Sequence, residues 1–128
     1  MAAVVNSSGP RKQFAVYWLP VVAWAIAIFV FSSIPGGKIA SLFPYQDAVF
    51  HFLEYLVFAV LINRAWKVYY RRCSGCRRFF LIFTFTLIYA IIDELHQSCV
   101  PGRNASLADI GFDALGIAAA GIFYLWQK

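Results

Sequence analysis

The sequence predicts an all-α membrane protein, a four-transmembrane-helix bundle with its N- and C-termini in the cytoplasm. Three observations carry that expectation. The 128 residues are 62% hydrophobic and only 13% charged, whereas an ordinary soluble domain is about a quarter charged. The apolar residues gather in four runs, roughly 14–32, 47–66, 79–99 and 107–126, each near the ~20 residues that a helix needs to cross a hydrocarbon core. The basic residues lie almost entirely on one side of those runs. A soluble chain of this size has too little interior to hide so much apolar surface. Nothing alternates apolar with polar at period two, so helices, which close their backbone hydrogen bonds internally, are expected rather than a barrel. One domain, 1–128, accounts for the whole chain.

The first run, Phe14–Ser32, follows Arg11 and Lys12. Ala25-Ile26-Ala27 has the pattern of a signal-peptide cleavage site, but the apolar run continues to Phe31, which suits an anchor. "SSIPGG" (32–37) ends it through Pro35. The second run, Asp47–Trp66, opens on an acid. The third runs uncharged from Phe79 to Ile92 and then meets Asp93, Glu94, His96 and Gln97. "VPGRNAS" (100–106) reads as a turn around Pro101-Gly102. Ser106, three residues before Asp109, fits an N-cap for the fourth run, Leu107–Trp126, in a weakened capping-box pattern.

With the N-terminus cytoplasmic, Arg11, Lys12, Arg64, Lys67, Arg71, Arg72, Arg77, Arg78 and Lys128 fall inside, and only Lys38 and Arg103 fall outside. That is the positive-inside bias of a plasma-membrane protein. It accounts for a pI near 9.3 through topology and anionic-lipid contact, without nucleic acid.

The acids sort the other way. Asp47, Glu54, Asp93, Glu94, Asp109 and Asp113, with His51 and His96, all fall in the outer loops or the outer parts of the runs. At ~1.5 Å per residue, Glu54, Asp93 and Asp113 each lie about 10 Å below the outer surface, on three different helices. Asp47, His51, Glu54 and Tyr55 are spaced i, i+4, i+7, i+8, which is one helical face. Asp93, His96 and Gln97 share a face, with Glu94 beside it. Asp109 and Asp113 are i, i+4, and their stripe continues as Gly116 and Ala120, small residues that admit a close neighbour. Facing lipid would cost a few kcal/mol per charge, so the stripes are expected to converge in the bundle interior. An acid near a helix end also has a plainer reading: Asp47 and Asp109 could snorkel or sit on a helix N-terminus. Arg103 could neutralise Glu94 or Asp109, or hold a phosphate in a bidentate grip.

"DAVFHFLEYLVFAVLINRAW" (47–66), "YAIIDELHQSCVPGRNASLADIGFDALGIAAAG" (89–121) and "FSSIPG" (31–36) resemble the VanZ-like family of small integral membrane proteins, over nearly the whole chain. The family positions matched are Asp47, His51, Glu54 and Tyr55, then Asp93, Glu94, His96, Gln97, Pro101, Gly102, Arg103, Ser106, Asp109 and Asp113. Cys99 stands where the family pattern often has an aromatic. The resemblance implies cell-envelope work in a bacterial plasma (inner) membrane and a link to glycopeptide (teicoplanin-type) resistance; it names no reaction.

Three chemistries fit the acidic end. The first is recognition of the head of a membrane lipid or lipid-linked envelope intermediate, with Asp47, His51, Tyr55, Gln97, Arg103, Ser106, Asp109 and Asp113 as ligand-binding candidates. The second is a hydrolase or transferase acting on such a lipid, with Glu54, Asp93, Glu94 and His96 as catalytic candidates. His51-x-x-Glu54 and Asp93-x-x-His96 each put a carboxylate and an imidazole one turn apart, the spacing of bundle metal sites, so a divalent metal on His51, Glu54, Asp93 and His96 is an option the spacing allows without requiring. The third is ion movement, against which stands an inner half nearly free of polar residues apart from Thr84 and Thr86. Cys73 and Cys76, in "RRCSGCRR" (71–78), make half a zinc site, which Cys99, expected across the membrane, cannot complete, or a redox pair; two plain loop thiols are the simpler reading in a reducing cytoplasm.

Overall fold

The computed structural model describes residues 10–70 and 72–127. Four helices follow in order, α1 (Pro10–Ser32), α2 (Gln46–Tyr69), α3 (Gly75–Ser98) and α4 (Leu107–Trp126), with one 3-10 turn at Gly36–Lys38. The described residues contain no strand. All four helices are long and apolar enough to cross a membrane. The apolar runs locate them, but α2 and α3 extend beyond their runs at the basic end. The side chain of Ser74 explains the early start of α3: it accepts a hydrogen bond from the Arg77 backbone N–H at 3.3 Å, capping the helix four residues before its apolar stretch begins.

Short connections make the helices alternate in direction. The C-termini of α1 and α3 meet the N-termini of α2 and α4 at one end, where all six acids lie. The opposite end carries Lys12, Arg64, Lys67, Arg72, Arg77 and Arg78. Arg71 and Lys128, and the side chain of Arg11, lie outside the described residues.

The closest pairing is α2 with α4. Gly116 makes it possible, because a Cβ there would overlap the backbone of α2 at Phe52 O and Leu56 N. Small residues thus replace large ones as the packing device, as expected where lipid offers apolar contact as good as leucine. The core runs through Phe58, Ala59, Ile62, Ile82, Ala90, Ile117 and Ala120. Two polar side chains buried within it, Asn63 and Thr86, bond back to carbonyls of their own helices, at Ala59 (2.9 Å) and Ile82 (2.7 Å). Large apolar residues such as Leu19, Phe80, Phe85 and Leu115 point outward, the arrangement that a lipid solvent favours. The outermost helix is α1. Trp24 Nε1 donates to Glu54 O at 3.0 Å and Tyr89 Oη donates to Ala25 O at 2.8 Å, tying it to α2 and α3.

Candidate functional site

The acidic end is laced by polar contacts between helices. Asp93 is buried on α3, and its Oδ2 accepts hydrogen bonds from Ser32 Oγ of α1 (2.8 Å) and from Gln97 Nε2 (3.1 Å). Gln97 also donates to Ser32 Oγ at 3.2 Å. On the other side, His51 Nδ1 of α2 meets Asp113 Oδ1 of α4 at 3.0 Å, and both residues are buried. Glu94, also buried, reaches from α3 to the start of α4, where its Oε1 accepts from the Ser106 backbone N–H. In a capping box that bond belongs to the residue three positions into the helix, here Asp109. Glu94 takes it instead, while Ser106 Oγ accepts from Ala108 N at 3.2 Å. Asp109 is thereby left free to face the adjoining cavity.

Two cavities share this end. One, of about 440 Å³, lies under the loops and includes Tyr45, Gln46, Asp47, His51, Arg103, Ser106 and Asp109 in its wall. The other, of about 360 Å³, lies between the end of α1 and the start of α2, lined by Phe31, Ser32, Ile34, Phe50, His51 and Glu54. Ile39, Asp47, His51, Gln97 and Arg103 belong to both walls. Asp47 stands exposed at the rim and Glu54 is half-buried. The loop over the first cavity is pinned by Gln46, whose Oε1 accepts from Leu42 N (2.7 Å) and whose Nε2 donates to Ala40 O (3.0 Å). Tyr45, next to it, holds a left-handed backbone (φ 61°) unusual for a non-glycine residue. The two loops meet backbone to backbone: Gly36 N donates to Pro101 O at 3.1 Å, and a Cβ on Gly36 would overlap Gly102 O.

Some residues fall elsewhere than the spacing suggests. His96 faces α1, as Asp93 and Gln97 do, but lies outside both cavities: it stacks on Phe29 (ring centroids 4.5 Å apart) and meets Ser33 Oγ at 3.0 Å. Tyr55 is fully buried beneath the site and its hydroxyl has no partner. Arg103 meets neither Glu94 nor Asp109. It donates to carbonyls at the end of α1, from Nε to Ile34 O (3.3 Å) and from Nη2 to Phe31 O (3.1 Å). A cation belongs there, because the C-terminal end of a helix carries its negative pole. The set His51, Glu54, Asp93 and His96 does not gather as a metal site. The described residues that do gather are His51, Glu94 and Asp109, which present one ligand atom each within 4.8 Å of one another. Ser32 and Gln46 went unread in the sequence. A serine at a helix end and a glutamine before an acid carry no periodic signal, and only the neighbouring segments give them a role.

A sequence model of the VanZ/LLP1 family matches residues 10–127. The chain belongs to the VanZ family. It is a membrane protein of that family, with four helices fit to span a bilayer. No curated protein and no solved structure gives a significant match. The match takes in α1 through α4 and both connecting loops at the acidic end, so the contacts described above all belong to the VanZ domain.

Proposed function

We propose that this VanZ-family protein binds the polar head of a membrane lipid, or of a lipid-linked cell-envelope intermediate, in the two adjoining cavities at its acidic end. In this reading the acidic end faces out of a bacterial plasma membrane and both termini face the cytoplasm, the orientation that the basic residues favour. The observation that carries it is the change in lining from one cavity to the next. Phe31, Ile34 and Phe50 border the cavity between α1 and α2, and Phe31 and Phe50 are also exposed on the outer surface of the bundle. Asn104, Ser106 and Asp109 border only the other, and Asp47 and Arg103 border both. A lipid, apolar at one end and polar at the other, matches that sequence of surfaces. Arg103 reaches both cavities and carries the only guanidinium at this end among the described residues, so it would meet a phosphate, while Asp47 and Gln97 would bond hydroxyls or amines. Glycopeptide resistance of the teicoplanin type, a lipid-tailed drug acting at the envelope, would be one outlet of such recognition.

The test is native mass spectrometry after reconstitution with phosphatidylglycerol and phosphatidylethanolamine. Wild type retains a phosphate-bearing lipid, and Arg103→Ala, with helical content and gel-filtration profile unchanged, retains at least tenfold less. Arg77→Ala, at the opposite end, retains as much as wild type. Equal retention by Arg103→Ala would sink the proposal.

A second reading, a membrane-embedded hydrolase or transferase acting on the same head group, draws on one observation. His51 is held at Nδ1 by the carboxylate of Asp113, the arrangement that orients an imidazole as a general base at Nε2. It predicts a changed lipid mass on prolonged incubation with wild type and none with His51→Ala.

A further inference from the structure

We infer that His51, Glu94 and Asp109 form a binding site for one divalent cation of the Zn²⁺ or Mn²⁺ class, supported from behind by Asp113. One ligand atom from each of the three residues lies within 4.8 Å of the others. Ligands bonded at about 2.0–2.2 Å to one ion stand roughly 3–4 Å apart, so the separations need to shrink by at most about 1–2 Å, which side-chain rotation can supply. The three come from α2, α3 and α4, and their meeting is a product of the fold, invisible as a local motif.

Independent observations point the same way. Glu94 is only 3% exposed. Its Oε1 is taken by the Ser106 N–H, and its Oε2 has no hydrogen-bond partner. A carboxylate oxygen left bare in the interior costs free energy, and a cation at the cluster gives it a bond. Asp113 occupies Nδ1 of His51 at 3.0 Å, which leaves Nε2 as the nitrogen His51 has to offer. A carboxylate behind an imidazole is the usual outer support of a metal-binding histidine, fixing its tautomer and raising its basicity. The charge count agrees. No Lys or Arg forms a salt bridge with Glu94, Asp109 or Asp113 among the described residues, and Arg103, the nearest candidate in sequence, is committed to the carbonyls of α1. The His51 imidazole, already engaged by Asp113, is the one basic group these three carboxylates meet among the described residues, and carboxylates held charged in a membrane-spanning bundle with so little compensation are costly. A divalent ion removes most of that cost.

The donor set chooses the ion. Mg²⁺ and Ca²⁺ favour oxygen alone, and soft ions favour sulfur. One imidazole with two carboxylates suits a borderline ion such as Zn²⁺ or Mn²⁺. Three protein ligands leave at least one position open, and His51 and Asp109 both line the larger cavity. A phosphate oxygen of a head group could fill that position, which would reconcile an anionic ligand with an acidic site. That consequence rests on the head-group reading above; the ion site itself does not. Nε2 cannot be both an ion ligand and a general base, so the ion measurement also separates the two functional readings.

The test uses the full chain in detergent, stripped with a chelator, dialysed and titrated with Zn²⁺ and separately with Mn²⁺. Bound metal is counted by elemental mass spectrometry after gel filtration, and affinity is read by calorimetry. Wild type takes up one ion per chain and its melting temperature rises. Asp109→Asn, half-exposed and the variant least able to disturb folding, binds at least tenfold more weakly and shows no such rise, and Glu94→Gln behaves alike. Asp113→Asn weakens binding by about 10- to 100-fold through His51. Ser98→Ala, at the same end and outside both cavities, binds like wild type. No stoichiometric ion in wild type, or full affinity in Asp109→Asn and Glu94→Gln, overturns the inference. No lipid enters the measurement, so a failed head-group assay on Arg103→Ala leaves it standing, and the reverse holds too.

Discussion

The two ends of the bundle are made from the same four helices and follow opposite rules. At the basic end the charges are of one sign, mostly exposed, and bonded to what helix ends offer. Arg64 lies over the Tyr17 ring (5.1 Å to the centroid) and Lys67 over the Tyr124 ring (5.2 Å). Lys67 Nζ reaches Gln127 O at 3.3 Å, and Arg78 Nη2 donates to Tyr124 O at 3.2 Å. These are cations on carbonyls and aromatic faces, the grip expected of residues that anchor helices at an interface. At the acidic end the charges are mixed with histidine, amide and hydroxyl groups. Asp93, Glu94, Asp113 and His51 are buried, and each has a partner on, or at the start of, another helix. Charge at a membrane protein's end therefore has two meanings. Exposed and of one sign, it grips helix ends and aromatic faces; buried and shared between helices, it ties the helices to one another.

Substitutions can break that contrast to different degrees. Gly116→Val should do most. Its side chain would strike α2 backbone at Phe52 and Leu56, which cannot rotate aside, so α2 and α4 must separate and carry His51 away from Asp113. A loss of about 3 kcal/mol is expected, read as a fall in the detergent melting temperature, with loss of metal uptake. A wild-type melting curve would mean that the close approach of the helices is unimportant to the site.

Ser32→Ala comes next. It removes the hydroxyl that both Asp93 and Gln97 use, at an expected cost of about 1–3 kcal/mol for the buried groups left short of a partner. Ser33→Ala, on the exposed side of the same turn, should cost less than half as much; equal effects would argue against the burial contrast drawn here. The smallest effect belongs to the other end. Replacing exposed Arg72 and Arg77 together with Gln should change stability by no more than about 0.5 kcal/mol, while reducing the preference for anionic over zwitterionic vesicles in a flotation assay. A large stability loss there would show the basic end to be as interlocked as the acidic one.

How much of this could be read in the sequence follows from what each signal depends on. The four helices were legible because a bilayer demands about twenty apolar residues in a row, a requirement met locally. The grouping of acids at one end was legible for the same reason. Helical spacing put Asp47, His51 and Glu54 on one face, and both cavities include residues of that face. Spacing reports a face without reporting the neighbour. His96, one turn from Asp93, sits where α1 packs, and the Phe29 ring and Ser33 claim it. Arg103 illustrates a second blind spot. A lone cation among acids invites an ion pair, but backbone carbonyls at a helix end are acceptors too, and they leave no mark in a sequence. The meeting of His51, Glu94 and Asp109 needs three helices at once, and no window of residues contains it.

The contact between Gly36 and Gly102 joins two loops that lie about half the chain apart. Because each glycine faces the other's backbone rather than a side chain, a larger residue at one position has no compensating replacement at the other. The two loops should therefore tolerate change only as a pair that keeps both glycines, and lengthening either one should be rejected more strictly than an exposed turn normally is. The same junction makes them a single unit of motion. The Gly36 amide, bonded to Pro101 O, would exchange its hydrogen only when the two loops part from each other, so its exchange rate would time the breaking of that junction.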